Sequence, residues 1–288
     1  MSAKNLDELT KEFQEAISTN SPNYSVLKTG FEKLDQQVFL STGNLTVLAA
    51  RPGKGKTSLA LFICRNIVLE QKNPIAFFTL ELSSMQLFES FVSIETGIAV
   101  NRFKKNVCDV SDRKILYNLY PKLSKTSMFF DDCEGYSLID LCEQCRLLKS
   151  QQKIELIIID YLQLIDIKTK AENCNSIELI MYTLNNLAKE LDIPILVLSQ
   201  LSRKVEERAD KRPQLSDLNP DIVKYADVVC FLYRPGYYQI LEDEEGNDLR
   251  SIAEIIFAKS NDAVEDVRLK WDAENAIFHN NGEHISEK

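Results

Sequence analysis

The sequence predicts an α/β fold: a mostly parallel sheet flanked by helices, with an antiparallel hairpin at the C-terminal end. Three observations carry this. Near-continuous apolar runs such as Leu156-Ile157-Ile158-Ile159 alternate with helical patterns, as strands buried on both faces of a parallel sheet do. Several of these runs end on a polar residue. One run leads through a glycine-rich loop directly into a helical pattern.

Taken in order, Leu6, Leu9, Phe13 and Ile17 recur at spacings of three and four, so residues 1–24 read as an amphipathic helix plus linker. Asn5 with Glu8 is a start signal, and Asn20-Ser21-Pro22-Asn23 ends the helix. Its apolar stripe needs a cover, either its own domain or a neighbouring subunit. Residues 25–288 read as one large α/β domain. Its strands are expected at Leu45–Ala49, Ile75–Leu80, Met128–Asp131, Ile154–Asp160, Ile195–Ser199 and Val228–Leu232. Helices are expected near Thr57–Glu70, Ser84–Glu95, Asp112–Lys125, Ser137–Gln151 and Ser176–Leu191. Beyond Leu232, Ser251–Lys259 and Val267–Trp271 flank a polar turn and read as the hairpin.

Composition narrows the function classes. No apolar run approaches the ~18–20 residues of a membrane span, and the first residues lack the apolar core of a secretory signal. The seven cysteines are odd in number and scattered, which fits reduced thiols and a cytoplasmic protein. Cys142-x-x-Cys145 has the spacing of half a metal site, but no second Cys/His pair complements it, and the histidines are His279 and His284. The net charge of −9 argues against coating nucleic acid through an overall basic field. Any DNA contact must then be local, through a groove, a loop or a ring interior.

The chemistry concentrates at the ends of the expected strands, where open α/β sheets bind ligands. After Leu45–Ala49 comes Ala50-Arg51-Pro52-Gly53-Lys54-Gly55-Lys56-Thr57, then the helical Ser58-Leu59-Ala60. This is a phosphate-binding loop in its strand–loop–helix context, with Ala50 in place of the opening glycine. Arg51, Pro52, Gly53, Lys54, Gly55, Lys56, Thr57 and Ser58 are therefore assigned to nucleoside triphosphate binding, with Lys56 on the β/γ-phosphates and Thr57 on Mg²⁺. Asp160 ends an apolar run, as a Mg²⁺-holding carboxylate does. Glu81 ends another and is placed to orient or deprotonate the attacking water. Gln200 ends a third, where an amide can sense the γ-phosphate.

Read together, the motifs resemble the C-terminal motor domain of DnaB-type replicative helicases, within the RecA-like P-loop NTPases. The resemblance rests on Thr29-Gly30-Phe31-x-x-Leu34-Asp35, Ala50-Arg51-Pro52 with Gly55-Lys56-Thr57, Thr79-Leu80-Glu81-Leu82 and Asp160-Tyr161-Leu162-Gln163-Leu164. It continues through Leu198-Ser199-Gln200-Leu201-Ser202-Arg203, Arg208 to Pro213, Ser216-Asp217-Leu218, Ala226-Asp227 and Tyr233-Arg234, and spans about Thr29 to Asn280. It implies that residues 25–288 are a RecA-like ATPase domain, with ATP and Mg²⁺ as cofactors. It also implies a homo-oligomeric, usually hexameric, ring with ATP at subunit interfaces and single-stranded DNA through the centre. Translocation 5′→3′ and replication proteins as partners follow from the same likeness. By this resemblance Glu81 is the catalytic carboxylate, Gln200 the γ-phosphate sensor, and Arg234 lies near the nucleotide base. Lys259 reaches a neighbour's nucleotide in trans, and the N-terminal helix is similar to the linker helix that docks on an adjacent subunit.

Three departures stand against the family pattern. An arginine usually follows the lysine by two residues, and here the position is Asn261, in the acidic turn Asn261-Asp262-Ala263-Val264-Glu265-Asp266; Arg250 and Arg268 are the candidate substitutes. After Ser216-Asp217-Leu218 the chain reads Asn219-Pro220-Asp221-Ile222, a shortened loop with one amide fewer and an added negative charge. Relatives also carry an N-terminal primase-interacting domain. Basic residues remain for DNA at Lys168, Lys170, Arg203, Lys204, Arg208, Lys211 and Arg212, interleaved with Glu206, Glu207 and Asp210 as in a self-paired surface. The expected function is an ATP-dependent DNA helicase motor. The alternative is a non-unwinding assembly or regulatory ATPase with weakened catalysis in trans.

Overall fold

A computed structural model describes residues 26–37, 39–133, 135–167, 176–260, 263–273 and 275–280, with positions 6, 10, 11 and 14 in the N-terminal segment. Those four positions are helical, and Thr10 Oγ1 donates to the Leu6 carbonyl at 2.6 Å. The remainder of the expected N-terminal helix, with Leu9, Phe13 and Ile17, lies outside the described residues, as do Lys168, Lys170, Asn261 and Asp262.

The strands are β1 Leu45–Ala50, β2 Ile75–Thr79, β3 Met128–Asp131, β4 Leu156–Asp160, β5 Ile195–Gln200, β6 Val228–Tyr233, β7 Ile252–Lys259, β8 Val267–Asp272 and β9 Ile277–Asn280. They form one nine-stranded sheet in the order β3-β2-β4-β5-β1-β6-β7-β8-β9. The six strands from β3 to β6 run parallel, and β7, β8 and β9 continue the sheet antiparallel. Strands β1, β2, β4 and β6 are buried along their whole length, which explains their unbroken apolar spelling. Two hydrophobic cores lie on opposite faces. Phe31, Leu48, Leu59, Phe77 and Ile158 belong to one, and Val47, Phe78, Leu141, Ile159 and Leu184 to the other. Alternate residues of β1 and β2 therefore point to opposite cores, as the pleat requires.

Where the elements differ from expectation, local causes are visible. The helix expected to Glu70 is α-helical over Lys56–Arg65 and continues as a π-helix over Asn66–Gln71, ending on Lys72 at φ 61°. A five-residue helix, Val100–Lys104, is absent from the sequence-based expectation because it is too short to show an apolar period. The helix expected from Asp112 begins at Val110, because Asp109 and Asp112 form a reciprocal capping box. The C-terminal hairpin is a three-stranded meander, whose last strand has only four residues and is too short to alternate convincingly.

The shortened segment after Leu218 has a structural explanation. Asn219 Oδ1 accepts from the Asp221 amide at 2.8 Å and caps the Pro220–Tyr225 helix, so Pro220 stands at the first helical turn. No amide partner is required there, so the missing donor carries no penalty. The motif Thr29-Gly30-Phe31-x-x-Leu34-Asp35 is likewise architectural. The Asp35 carboxylate accepts from the Thr29 amide at 2.5 Å, the Thr29 hydroxyl at 2.6 Å and the Gly30 amide at 3.3 Å. Gly30, at φ 91°, passes so near Asn66 that a Cβ would lie 2.7 Å from its Cγ.

Candidate functional site

Strand order brings the polar strand ends together. Strands β2, β4, β5 and β1 are consecutive neighbours, with Thr79 paired to Asp160 and Ala50 to Gln200. The residues that follow β2, β4, β5 and β1 consequently emerge side by side on the carboxyl edge. A cleft of about 340 Å³ opens there, lined by Pro52, Gly53, Gly55, Lys56, Thr57, Ser58, Glu81, Asp160, Tyr161, Gln200, Trp271 and Ala276. Lys56, Thr57, Glu81, Asp160 and Gln200, read separately from the sequence, share this one cleft.

The phosphate loop owes its shape to two glycines in the left-handed region, Gly53 at φ 73° and Gly55 at φ 95°. Gly55 is the N-cap of the Lys56–Arg65 helix and supplies no side chain to the first turn, which also holds no acidic residue. Early amides and the positive end of the helix dipole are thus directed at the cleft, an arrangement that favours an anion. A Cβ on Gly55 would approach Phe278 to 3.2 Å and Trp271 to 3.4 Å, so the meander closes on the loop from outside.

Lys56 is buried and its Nζ donates to the Ala50 carbonyl at 3.2 Å, folding the lysine back across the loop. Burial lowers its pKa from the ordinary lysine value, opposed by the charges of Asp160 and Glu81. Thr57 Oγ1 donates to Asp160 Oδ2 at 2.6 Å. Burial raises the Asp160 pKa, opposed by that hydrogen bond and by Lys56. Both charges are held short of full solvation, a condition that a divalent cation and a polyphosphate would relieve together. The donor set fits Mg²⁺, since a hydroxyl and a carboxylate oxygen already meet at hydrogen-bond distance beside the phosphate loop.

Glu81 is carried on a short turn after β2. Thr79 Oγ1 donates to the Leu82 carbonyl at 2.8 Å and accepts from its amide at 3.1 Å, while the Leu80 amide donates to the Asp160 carbonyl at 2.7 Å. These bonds fix the Glu81 turn against the end of β4. Gln200 is tied to the same place. Gln163 Nε2 donates to Ser199 Oγ at 2.9 Å and to the Gln200 carbonyl at 3.2 Å. The exits of β4 and β5 are clipped together by one amide side chain. Tyr161 lines the cleft, its phenol pKa raised by burial and by Glu81 and Asp160.

Four predicted residues lie outside the cleft lining. Arg51 pairs with Glu206 at 3.0 Å and donates to the Leu201 carbonyl at 2.9 Å. Lys54 turns away, over the rings of Tyr237 and Tyr238. Arg234 stacks on Trp271 at 4.0 Å, one ring removed from the lining, and burial lowers its pKa to about 10. Lys259 Nζ donates to the carbonyls of Val223 at 2.8 Å and Ala226 at 2.6 Å, closing the end of the Pro220–Tyr225 helix.

The candidate substitutes for the missing arginine are engaged within the chain, Arg250 with Asp248 at 2.8 Å and Arg268 with Glu254 at 3.0 Å. Two of the basic residues considered for DNA are also paired: Arg208 is bidentate to Asp217, and Arg212 bridges Glu254 and Asp266. Arg203 and Lys204 are exposed. Cys142 and Cys145 are buried in the helical face of Leu138–Gln152, which pushes both thiols up, Cys142 to about 11. Among the described residues, no group of three or more His, Cys, Asp or Glu is placed to hold a metal ion. Nor is any described helix long and apolar enough to cross a membrane.

Sequence reasoning missed Tyr161, Gln163 and Trp271 as members of the site. The first two belong to the motif Asp160-Tyr161-Leu162-Gln163-Leu164, where adjacency to Asp160 is the available signal. Trp271 comes from β8, far along the chain from the phosphate loop, and nothing local marks it.

Residues 26–280 match the family described as DnaB-like helicase C-terminal domain. The probable plasmid replicative DNA helicase of Chlamydia psittaci is 40% identical over 238 residues, covering 81% of this chain and 51% of that protein. The replicative DNA helicase DnaB of Geobacillus stearothermophilus is 36% identical over 260 residues, covering 88% and 56%. The chain therefore spans about half the length of the curated relatives it matches. Among solved structures, one ATPase domain superposes with a TM-score of 0.85 at 29% identity, covering 97% of this chain and 99% of that one. A DnaB-like replicative helicase studied with primase superposes at 0.81 and 29%, covering 97% and 67%. These likenesses extend to the RecA-like sheet and its flanking helices.

Proposed function

The chain belongs to the DnaB-like helicase family through its C-terminal domain, and from that premise we propose that it is the ATP-driven motor of a replicative DNA helicase. In this reading residues 25–288 are the motor and residues 1–24 an arm. The motor moves 5′→3′ on single-stranded DNA in the cytoplasm. The observation that carries the reading is the meeting of Thr57 and Asp160 at 2.6 Å in the cleft that also holds Lys56, Glu81 and Gln200.

Bound MgATP would supply the anhydride to be cleaved and a cation to offset charge on the phosphates. Thr57 Oγ1 and Asp160 are the residues that would hold that cation, and the loop amides with Lys56 would hold the phosphate tail. Glu81, fixed by the Thr79 turn, is placed to orient a water and take its proton. Gln200 faces the same cleft and is clipped through Gln163 to the exit of β4, so a change felt at its amide is passed to the segments after β4 and β5. Arg234 and Trp271 form a planar wall suited to a nucleobase. In a hexameric ring Lys259 would leave its carbonyl partners and reach the nucleotide of the adjacent subunit. Primase and other replication proteins are the partners we expect of such a ring.

A second reading, a DnaB-like ATPase that assembles or regulates without unwinding, is favoured by one specific observation. Arg250 and Arg268 are both paired within the chain, while position 261 is asparagine. Forked-DNA unwinding measured alongside ATP turnover separates the two. Unwinding that depends on ATP is expected of the motor, whereas ATP binding and turnover with the fork left intact would replace it by the second reading.

A further inference from the structure

One charged group near the cleft has no partner that explains it. Lys54 sits between Gly53 and Gly55 in the phosphate loop, yet the residue is only 2% exposed and its Nζ has no hydrogen-bond acceptor. The ammonium rests 2.6 Å from the centroid of the Tyr237 ring and 4.1 Å from that of Tyr238. Both tyrosines belong to the Pro235–Tyr238 turn that directly follows Arg234.

Its electrostatic surroundings are unfavourable. The charged groups that act on it are Glu206, Arg234, Arg51 and Lys211, three of the four being cations. Glu206 is already committed to Arg51 at 3.0 Å. Lys211 itself lies 5.5 Å from the Tyr238 ring. Burial, with the three cations, pushes Lys54 down to about 8. Two aromatic faces attract an ammonium but accept no hydrogen bond of ordinary strength, so they replace its hydration only in part. What this group lacks is an anion, and it stands on the loop whose amides await one.

We propose that Lys54 is a second lysine of the nucleotide site, which the resting loop parks between Tyr237 and Tyr238 and which turns onto the phosphate tail of a bound nucleotide. The flanking glycines leave the backbone on either side free to re-orient, and a Cβ on Gly53 would meet nothing within 4 Å. Tyr237 is 52% exposed, so the cage can open toward solvent. Departure of Lys54 would release the Pro235–Tyr238 turn and with it the position of Arg234, tying phosphate capture to the wall of the base. This inference rests on reading the cleft as a nucleotide site.

The test uses the full chain and MgATP, comparing wild type with Lys54→Met, which keeps length and aromatic contact but no charge. Melting without nucleotide and titration calorimetry with MgATP are measured at pH 7.5. Lys54→Met is expected to melt higher than wild type, because an unpaired buried ammonium is gone, and to bind MgATP about ten- to a hundred-fold more weakly, the loss of one charge-assisted hydrogen bond. A lysine whose only role is to brace the loop would not shift these two readouts in opposite directions. Calorimetry at pH 8.5 in two buffers of different ionisation enthalpy supplies the second readout. Phosphates raise a pKa that burial had lowered, so wild type takes up protons on binding. Lys54→Met is expected to take up markedly fewer, the remainder coming from Lys56, whose pKa burial also lowers. Unchanged affinity in Lys54→Met, a fall in stability and affinity together, or uptake undiminished by the substitution each overturns the role of Lys54. Absence of any MgATP binding by wild type overturns the nucleotide site itself, and the inference with it.

Discussion

At the scale of single residues, the cleft separates groups that hold charge from a group placed to move a proton. Lys56 and Asp160 are both buried and mutually compensating, whereas Glu81 stands on a turn fixed by Thr79 and exposed to the cleft. Glu81→Gln keeps size and hydrogen-bonding shape but cannot accept a proton. It is expected to bind MgATP within a few-fold of wild type and to lose turnover by about 10²–10⁴-fold, read from equilibrium binding and steady-state hydrolysis on the same preparation. Normal turnover would remove Glu81 from the catalytic role. Such residues are legible in the sequence because a strand buried on both faces must be apolar throughout, so a polar residue at its carboxyl end stands out. Glu81, Asp160 and Gln200 are found that way. Trp271 is not, because β8 alternates buried and more exposed positions, and an aromatic on its buried side looks like any core residue.

At the scale of elements, the parallel half of the sheet is legible in the sequence and the antiparallel half only partly. The parallel strands announce themselves by unbroken apolar spelling. Strand β9 has four residues, and its place is set by pairing with β8 rather than by its own pattern. That pairing bears on the loop, because a Cβ added to Gly55 would meet Phe278 of β9 and Trp271 of β8. Gly55→Ala would force an L side chain into φ 95° and into contact with Phe278 at 3.2 Å. The conformational strain alone is about 1–3 kcal/mol, so the melting temperature should fall by several degrees, and MgATP affinity should fall with it. A variant that melts and binds like wild type would mean that the meander does not shape the loop. The shortened loop after Leu218 shows what the sequence leaves out: the same residues expected to lack a phosphate contact form a capped helix start, because Asn219 and Pro220 are well suited to open a helix.

At the scale of the whole molecule, the open question is whether the site is complete within one chain. We propose that the helical arm expected over residues 5–17 tethers one subunit to the next. Deleting residues 1–20 should lower the mass measured in solution toward the monomer while leaving the core folded. An unchanged mass would assign its apolar stripe to its own domain. The catalytic question is sharper. Lys259 is held by the Val223 and Ala226 carbonyls, Arg268 and Arg212 share Glu254, and Arg250 is paired with Asp248, so each of these cations already serves its own chain. Position 261 is where the family resemblance places an arginine reaching the neighbouring nucleotide, and asparagine cannot supply that charge. An arginine acting in trans is worth about 10³–10⁵ in rate where a ring is assembled around it, so Asn261→Arg should raise kcat about ten-fold or more with little change in KM. A mixing experiment locates the effect. A chain carrying both Glu81→Gln and Asn261→Arg has a dead site of its own but an arginine to lend. Mixed with wild type, it should give turnover above that of either protein alone, because wild-type sites then receive the missing charge across the interface. If Asn261→Arg is faster but the mixture is not, the arginine acts within its own chain. If neither changes, the low positive charge at this edge is not what limits hydrolysis, and completion of the site by a neighbour ceases to be a reason to propose a ring.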